Sequence, residues 1–214
     1  MPLIQATAEA RPIHRRIGDD YYTEFNVSEN PQYLTADIPA GLAGAAACTF
    51  AMWYKRIGAV DAIVANPTIF GVSPDGGSLT NTLGIISGTL SGTQIISFTG
   101  LGQIVASSAV FPASAINDGE WVHIAGVMTG TEMILYRGGV VQDTASLSGG
   151  VASDLSAYRI AVGAARDGVR PARFGGSNFQ IWDRALSAGE VATLAAVRHP
   201  ANTIPSGLIG YWPL

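Results

Sequence analysis

Residues 116–139 read INDGEWVHIAGVMTGTEMILYRGG, residues 158–168 YRIAVGAARDG, and residues 173–194 RFGGSNFQIWDRALSAGEVATL. Large apolar side chains alternate with small or polar ones through Trp121–Met128 and again through Glu132–Arg137. That period of two is the pattern of strands with two distinct faces. Thr129-Gly130-Thr131 joins this pair, and Gly138-Gly139 is a tight hairpin turn into a further run at 140–143. Ser187-Ala188-Gly189-Glu190 is a capping box, in which the Ser187 hydroxyl accepts from the Glu190 amide and the Glu190 carboxylate reaches back. It opens a helix with Val191, Leu194 and Ala195 on its apolar face, Leu186 and Val191 as a staple, and Pro200 as its stop. Such a helix is expected to pack across a sandwich edge.

The same grammar extends outward. Residues 21–25, 49–56, 62–65, 68–72, 83–86, 94–98, 103–106, 158–163 and Phe174–Trp182 read as strands, and Pro74-Asp75-Gly76-Gly77 as a turn. In 49–56, Phe50, Met52 and Tyr54 fall on one face and Trp53 on the other. Short strands about ten residues apart, separated by Gly-rich turns, indicate an all-β sandwich. No linker or repeat divides the chain. The expectation is a single domain over 1–214, with 1–20 as an extended N-terminal arm.

The 214 residues suffice for one sizeable core without staples. Hydrophobic residues make up 48% of the chain and charged residues only 13%. A surface so poor in charge suits assembly with copies of itself or with other subunits, because charge is what keeps isolated domains apart. The net charge is −4 and the longest basic cluster is Arg15-Arg16, which excludes a sequence-independent grip on nucleic acid. The lone Cys48 sits in an apolar run and reads as a small buried hydrophobe, without disulfide or zinc. The most apolar stretch, 42–54, is shorter than the ~20 residues a membrane helix needs. The opening MPLIQATAEARPIHRR lacks the apolar region of a signal peptide, so synthesis in the cytoplasm is expected.

Several side chains are candidates for chemistry. The loop 164–173 is the densest polar cluster; Arg166, Asp167, Arg170 and Arg173 are the candidate contacts to an acidic glycan or a partner subunit. Trp121, Tyr136, Phe174 and Trp182 alternate as core residues do, with a sugar-stacking platform as the other reading. His123 reads as a packed, hydrogen-bonded core histidine. No G-x-S-x-G is present, and His14, His123 and His199 are scattered without metal-ligand spacing. Asp19-Asp20 and Asp118 read as turn formers, with a hard cation such as calcium as the alternative.

Three segments resemble the laminin-G-like branch of the concanavalin A-like lectin/glucanase superfamily. Residues 118–125, DGEWVHIA, are similar to its W-x-H-[VI]-A strand. Residues 134–139, ILYRGG, are similar to its L-Y-x-[DN]-G hairpin. Residues 174–191, FGGSNFQIWDRALSAGEV, are similar to its most specific element, a strand running into R-A-L-S-x-x-E. The resemblance implies a jelly-roll sandwich of two curved antiparallel sheets. Family members often open with G-L-[VI]-x-Y-W-P-L followed by an Asp/Asn-rich, calcium-holding loop. Here GLIGYWPL stands at 207–214, which points to a circularly permuted strand and leaves calcium unsupported. Laminarinase-like members carry E-x-D-x-[x]-E, aiming carboxyls about 5 Å apart for retaining chemistry. None of Glu9, Glu24, Glu29, Glu120, Glu132 and Glu190 sits in that pattern.

The N-terminal ATAEARPIHRR and YYTEFN resemble a segment found before such domains in tailed-phage virion proteins. Together these resemblances imply a non-catalytic virion protein, as capsid decoration or tail or fibre component. Its expected partners are other virion proteins, itself and a host-surface glycan. A free bacterial carbohydrate-binding module and a degenerate glycoside hydrolase are the alternatives.

Overall fold

The computed structural model describes residues 5–6, 13–17, 20–25, 33–58, 68–74, 82–91, 93–100, 109–147, 151, 153–164, 171–197 and 203–213. Its strands form two sheets packed face to face as a jelly-roll sandwich. In the first sheet the order is β1 (Gln5–Ala6), β4 (Leu34–Ala36), β13 (Tyr158–Val162), β6 (Thr68–Pro74), β7 (Leu83–Leu90), β8 (Thr93–Thr99) and β9 (Ala109–Pro112). In the second it is β12 (Val140–Ser146), β11 (Glu132–Arg137), β10 (Trp121–Met128), β5 (Cys48–Arg56), β14 (Phe174–Trp182), β3 (Asp20–Phe25) and β2 (Ile13–Ile17). A further strand, β15 (Leu208–Trp212), also pairs with β14, and α1 spans Ala188–Ala196. The runs at 62–65 and 103–106 and the turn at 75–77 lie outside the described residues.

Alternation supplies the core. Phe50, Met52 and Tyr54 of β5 point between the sheets and Trp53 points away, as the sequence predicts. Phe70 of β6 ties the sheets together: its ring meets Phe50 at 5.4 Å, Phe179 at 5.2 Å and Trp212 at 6.3 Å, each near edge-on. Such pairs contribute roughly 0.5–1.5 kcal/mol each beyond the area they bury. Cys48 is fully buried, and burial pushes its thiol well above the usual range. Trp212 is 4% exposed and β15 runs antiparallel to β14, so the C-terminal segment does occupy a sheet position.

Two expectations need correction. First, α1 lies on the outer face of the second sheet, not across an edge. Val191 and Leu194 pack there with Ala51, Ala125, Val127, Tyr136, Trp182, Leu186 and Ile204 as a second, smaller core. Second, of the four aromatics read as core residues, Tyr136, Phe174 and Trp182 are buried as expected and Trp121 is not. Tyr136 and Trp182 are buried beneath the helix, and Trp121 is half-buried on the outer face beyond it. An alternating pattern separates two faces of a strand but does not say which layer covers each, and here both faces are apolar.

Between the sheets, Phe98 of β8 lies over Gly126 of β10; a Cβ at Gly126 would fall 2.1 Å from Phe98 Cδ2 and 2.3 Å from its Cγ. Gly126→Ala should therefore cost about 1–3 kcal/mol in urea unfolding, as overpacked cores do. Gly130→Ala, where an added Cβ meets nothing within 4 Å, should leave the midpoint unchanged.

Candidate functional site

Strand β14 changes partner along its length. Phe174, Gly175 and Gly176 pair with β3, and Phe179 through Trp182 pair with β15. Between them Asn178 adopts a left-handed φ of +53° in a bulge against β5. The Tyr211 hydroxyl donates to Asn178 Oδ1 at 2.7 Å, and Asn178 Nδ2 donates to Ser177 Oγ at 3.1 Å. The bulge absorbs this extra residue, so that Phe179 and Ile181 face inward like Phe174 and Trp182 faces outward, under α1.

The helix is anchored over that half. Trp182 Nε1 donates to Ile204 O at 3.0 Å, and Ser187 and Glu190 form the capping box expected from sequence. Arg184 holds Glu190 through both nitrogens, at 2.6 and 3.1 Å. The other half of the outer face, nearer β2 and β3, carries a different set of side chains.

On this half, register places Trp121 opposite Lys55, Lys55 opposite Gly175, and Gly175 opposite Glu24. Gly175 leaves a hollow that the Tyr22 ring occupies; a Cβ there would meet Lys55 Cβ at 3.1 Å and Tyr22 Cδ2 at 3.3 Å. Tyr22 thus lies against the sheet and meets Trp121 edge-on, centroids 5.2 Å apart at 86°. The Lys55 ammonium stands 5.2 Å from the Tyr22 ring and 6.0 Å from that of Trp121. Trp53 continues the row, half-buried beside His123, with its Nε1 donating to Val197 O at 3.3 Å. The result is a platform in which Tyr22 is buried, at 6% exposure, and Trp121 and the Lys55 cation stand above it at the surface.

Of the loop residues singled out from sequence, Arg166, Asp167 and Arg170 lie outside the described residues. Arg173 is exposed. Its neighbours Ala172 and Phe174 both point into the core, so Arg173 points outward, two positions before Gly175. The structure therefore brings Arg173 to the rim of the platform, beside Gly58, whose added Cβ would meet Arg173 Nη1 at 3.4 Å. Sequence reasoning missed Tyr22 and Lys55. The signal was the glycine pair Gly175-Gly176, because a strand glycine marks a close approach by something else.

The adjoining loops are held by charges that serve the fold. The Arg56 guanidinium donates to Gly58 O at 3.1 Å and Ile116 O at 2.7 Å. Asp118 Oδ1 accepts from Gly58 N at 2.5 Å, and Glu120 accepts from both the amide and the side chain of Asn117. Asp118 is thus a turn former. Among the described residues no three His, Cys, Asp or Glu side chains come together. Two shallow grooves elsewhere carry charges paired internally, Arg184 with Glu190 and Arg159 with Asp37 at 3.4 Å.

The chain belongs to the concanavalin A-like lectin/glucanases superfamily, whose laminin-G-type family matches residues 28–192. Among solved structures it is similar to domain 4 of AbnA, an extracellular arabinanase from Geobacillus stearothermophilus solved with arabinotriose. The TM-score is 0.60 at 14% identity over 91% of this chain and 87% of that one. It is also similar to the botulinum neurotoxin serotype D binding domain, with a TM-score of 0.64 at 11% identity over 91% of this chain. A third similar structure is tailspike protein 2 of Escherichia coli O157:H7 bacteriophage CAB120, with a TM-score of 0.60 at 17% identity over 100% of this chain. The chain spans 46% of the neurotoxin domain and 29% of the tailspike. At these identities the likeness is one of fold. The comparison with curated protein sequences found no match.

His123 departs from expectation. It is buried at 1% exposure, but among the described residues neither ring nitrogen has a hydrogen-bond partner, and Gln180, also buried, has none for its amide. Across the ladder from His123 stands Trp53, whose indole offers no acceptor. Burial pushes the His123 pKa down to about 4. An unfolded chain takes up that proton near 6.5, so it binds more protons than the folded one between those values. Stability should be full above pH 6.5 and fall by about 3 kcal/mol as the pH drops towards 4. His123→Phe should flatten that window in denaturant titrations. Glu190, lowered to about 2 first by its hydrogen bond to Arg184, acts in a lower window. Its contribution is present above about pH 4.5 and lost towards 2, and Glu190→Gln should flatten only that part.

Proposed function

We propose that this chain is a non-catalytic glycan-binding module that serves as an adhesion or decoration component of a tailed-phage particle. The observation that carries the binding reading is the Tyr22–Lys55–Trp121 platform on the half of the second sheet that α1 leaves open. Aromatic faces with a few fixed polar groups beside them are what a sugar ring needs: its C–H face stacks and its hydroxyls find donors. The sheet fixes the platform before any ligand arrives, which lowers the ordering cost of binding.

The non-catalytic reading is supported by the separation of the glutamates. Glu24 is on β3, Glu120 in the loop before β10, Glu132 on β11 and Glu190 on α1. Glu190 and Glu120 are already engaged in the contacts described above. The virion reading is supported by the N-terminal resemblance and by the use of this sandwich within a phage tailspike, whose likeness covers the whole chain. The low charge, with Val140 and Val141 at 64% and 47% exposure on β12, supports self-association within such a particle.

The isolated protein should bind glycans on an array. Trp121→Ala should weaken that binding at least about tenfold, with the unfolding midpoint little changed, since Trp121 lies outside both cores. Incubation with β-glucans should release no reducing sugar. Glycan binding that survives Trp121→Ala would move the site elsewhere, and sugar release would make the chain a hydrolase. Co-sedimentation with phage particles separates the virion reading from a free bacterial binding module.

A further inference from the structure

We propose that the platform selects acidic sugars: a pyranose ring lies against the half-buried Trp121, and its anionic group is met by Lys55 with Arg173 at the rim. This deepens the glycan-binding reading and rests on it. The argument starts from Lys55. Its ammonium is held over two ring faces and, among the described residues, makes no ion pair. Ring faces attract a cation through their negative quadrupole but do not neutralise it. The charge is therefore fixed in place, partly stripped of water on the ring side, and still available on the other.

The acids nearby do not cancel it. Glu24, across Gly175 from Lys55, has an interaction of its own. Glu120 directs its carboxylate at Asn117, back into the loop. Arg173 adds a second exposed cation on the same side of β14, without an ion pair among the described residues. The open half of the sheet thus offers two unspent positive charges around an aromatic surface, in a chain whose net charge is −4. Neutral sugars would stack on this surface without using either charge. An acidic sugar uses both features at once, with the stacked ring fixing the distance from its anion to Lys55 Nζ.

The test compares matched probes on the full chain by calorimetry: galacturonotriose against its methyl ester, and galactose 6-sulfate against galactose. The acidic member of at least one pair should bind about tenfold tighter than its neutral twin, as a charge-assisted hydrogen bond contributes. That gap should narrow with added salt and close in Lys55→Gln. Lys55→Gln should keep the circular dichroism spectrum and unfolding midpoint of the parent chain, which shows that the variant is folded. Neutral twins that bind within about twofold of the acids and are lost in Trp121→Ala would overturn acid selectivity and leave the glycan site standing. A gap that persists in Lys55→Gln would overturn the role of Lys55. No binding of any probe, or binding indifferent to Trp121→Ala, would overturn the site itself.

Discussion

The bulge at Asn178 sets the arrangement on which the second sheet depends. One extra residue, stabilised from the C-terminal strand by the Tyr211 hydroxyl, lets β14 serve two neighbours end to end. Ahead of it, Phe174 and Gly176 face the core and Gly175 faces out beneath Tyr22; beyond it, Trp182 faces out beneath α1. Were the same residues to alternate strictly, with no bulge, Phe179 and Ile181 would turn away from the core and Trp182 into it. The N-terminal hairpin and the C-terminal strand, remote in sequence, share one edge of one strand because of it.

That division gives the outer face two fates. One half is dry and closed, with the capped helix and the Arg184–Glu190 pair over Trp182. The other half stays open and concentrates the half-buried aromatics and a cation that no described acid neutralises. His123 lies near the division, beside Trp53, whose indole is tied to the chain just after the helix. The unpartnered histidine couples acid stability to the packing of the covered half and does not need to touch ligand.

Much of the fold was legible in the sequence because its strands alternate cleanly. Trp121–Met128, Glu132–Arg137 and Phe174–Trp182 run over the residues that the pattern marks, and Ser187 with Glu190 caps the helix as their spacing requires. The short strands Ile13–Ile17, Leu34–Ala36 and Ala109–Pro112 escaped, since a few residues at or near a sheet edge carry too little periodicity to read. The site was legible only in part. Of the proposed site, loop charge marks Arg173, while Trp121 reads first as a core residue and only secondly as a sugar-stacking one. Tyr22 and Lys55 join them only through the registers of β3 and β5 against β14, which depend on pairings between distant parts of the chain.

The central claim is that ligands meet the open half of the second sheet. The chain has four tryptophans, and each indole N–H gives one cross-peak in a proton–nitrogen correlation spectrum. Trp121 stands on the platform and Trp53 beside it, whereas Trp182 lies under the helix and Trp212 in the core. Titration with an acidic oligosaccharide should shift Trp121 most and Trp53 next, leaving Trp182 and Trp212 in place. Saturable binding with Trp121 unmoved would contradict the account.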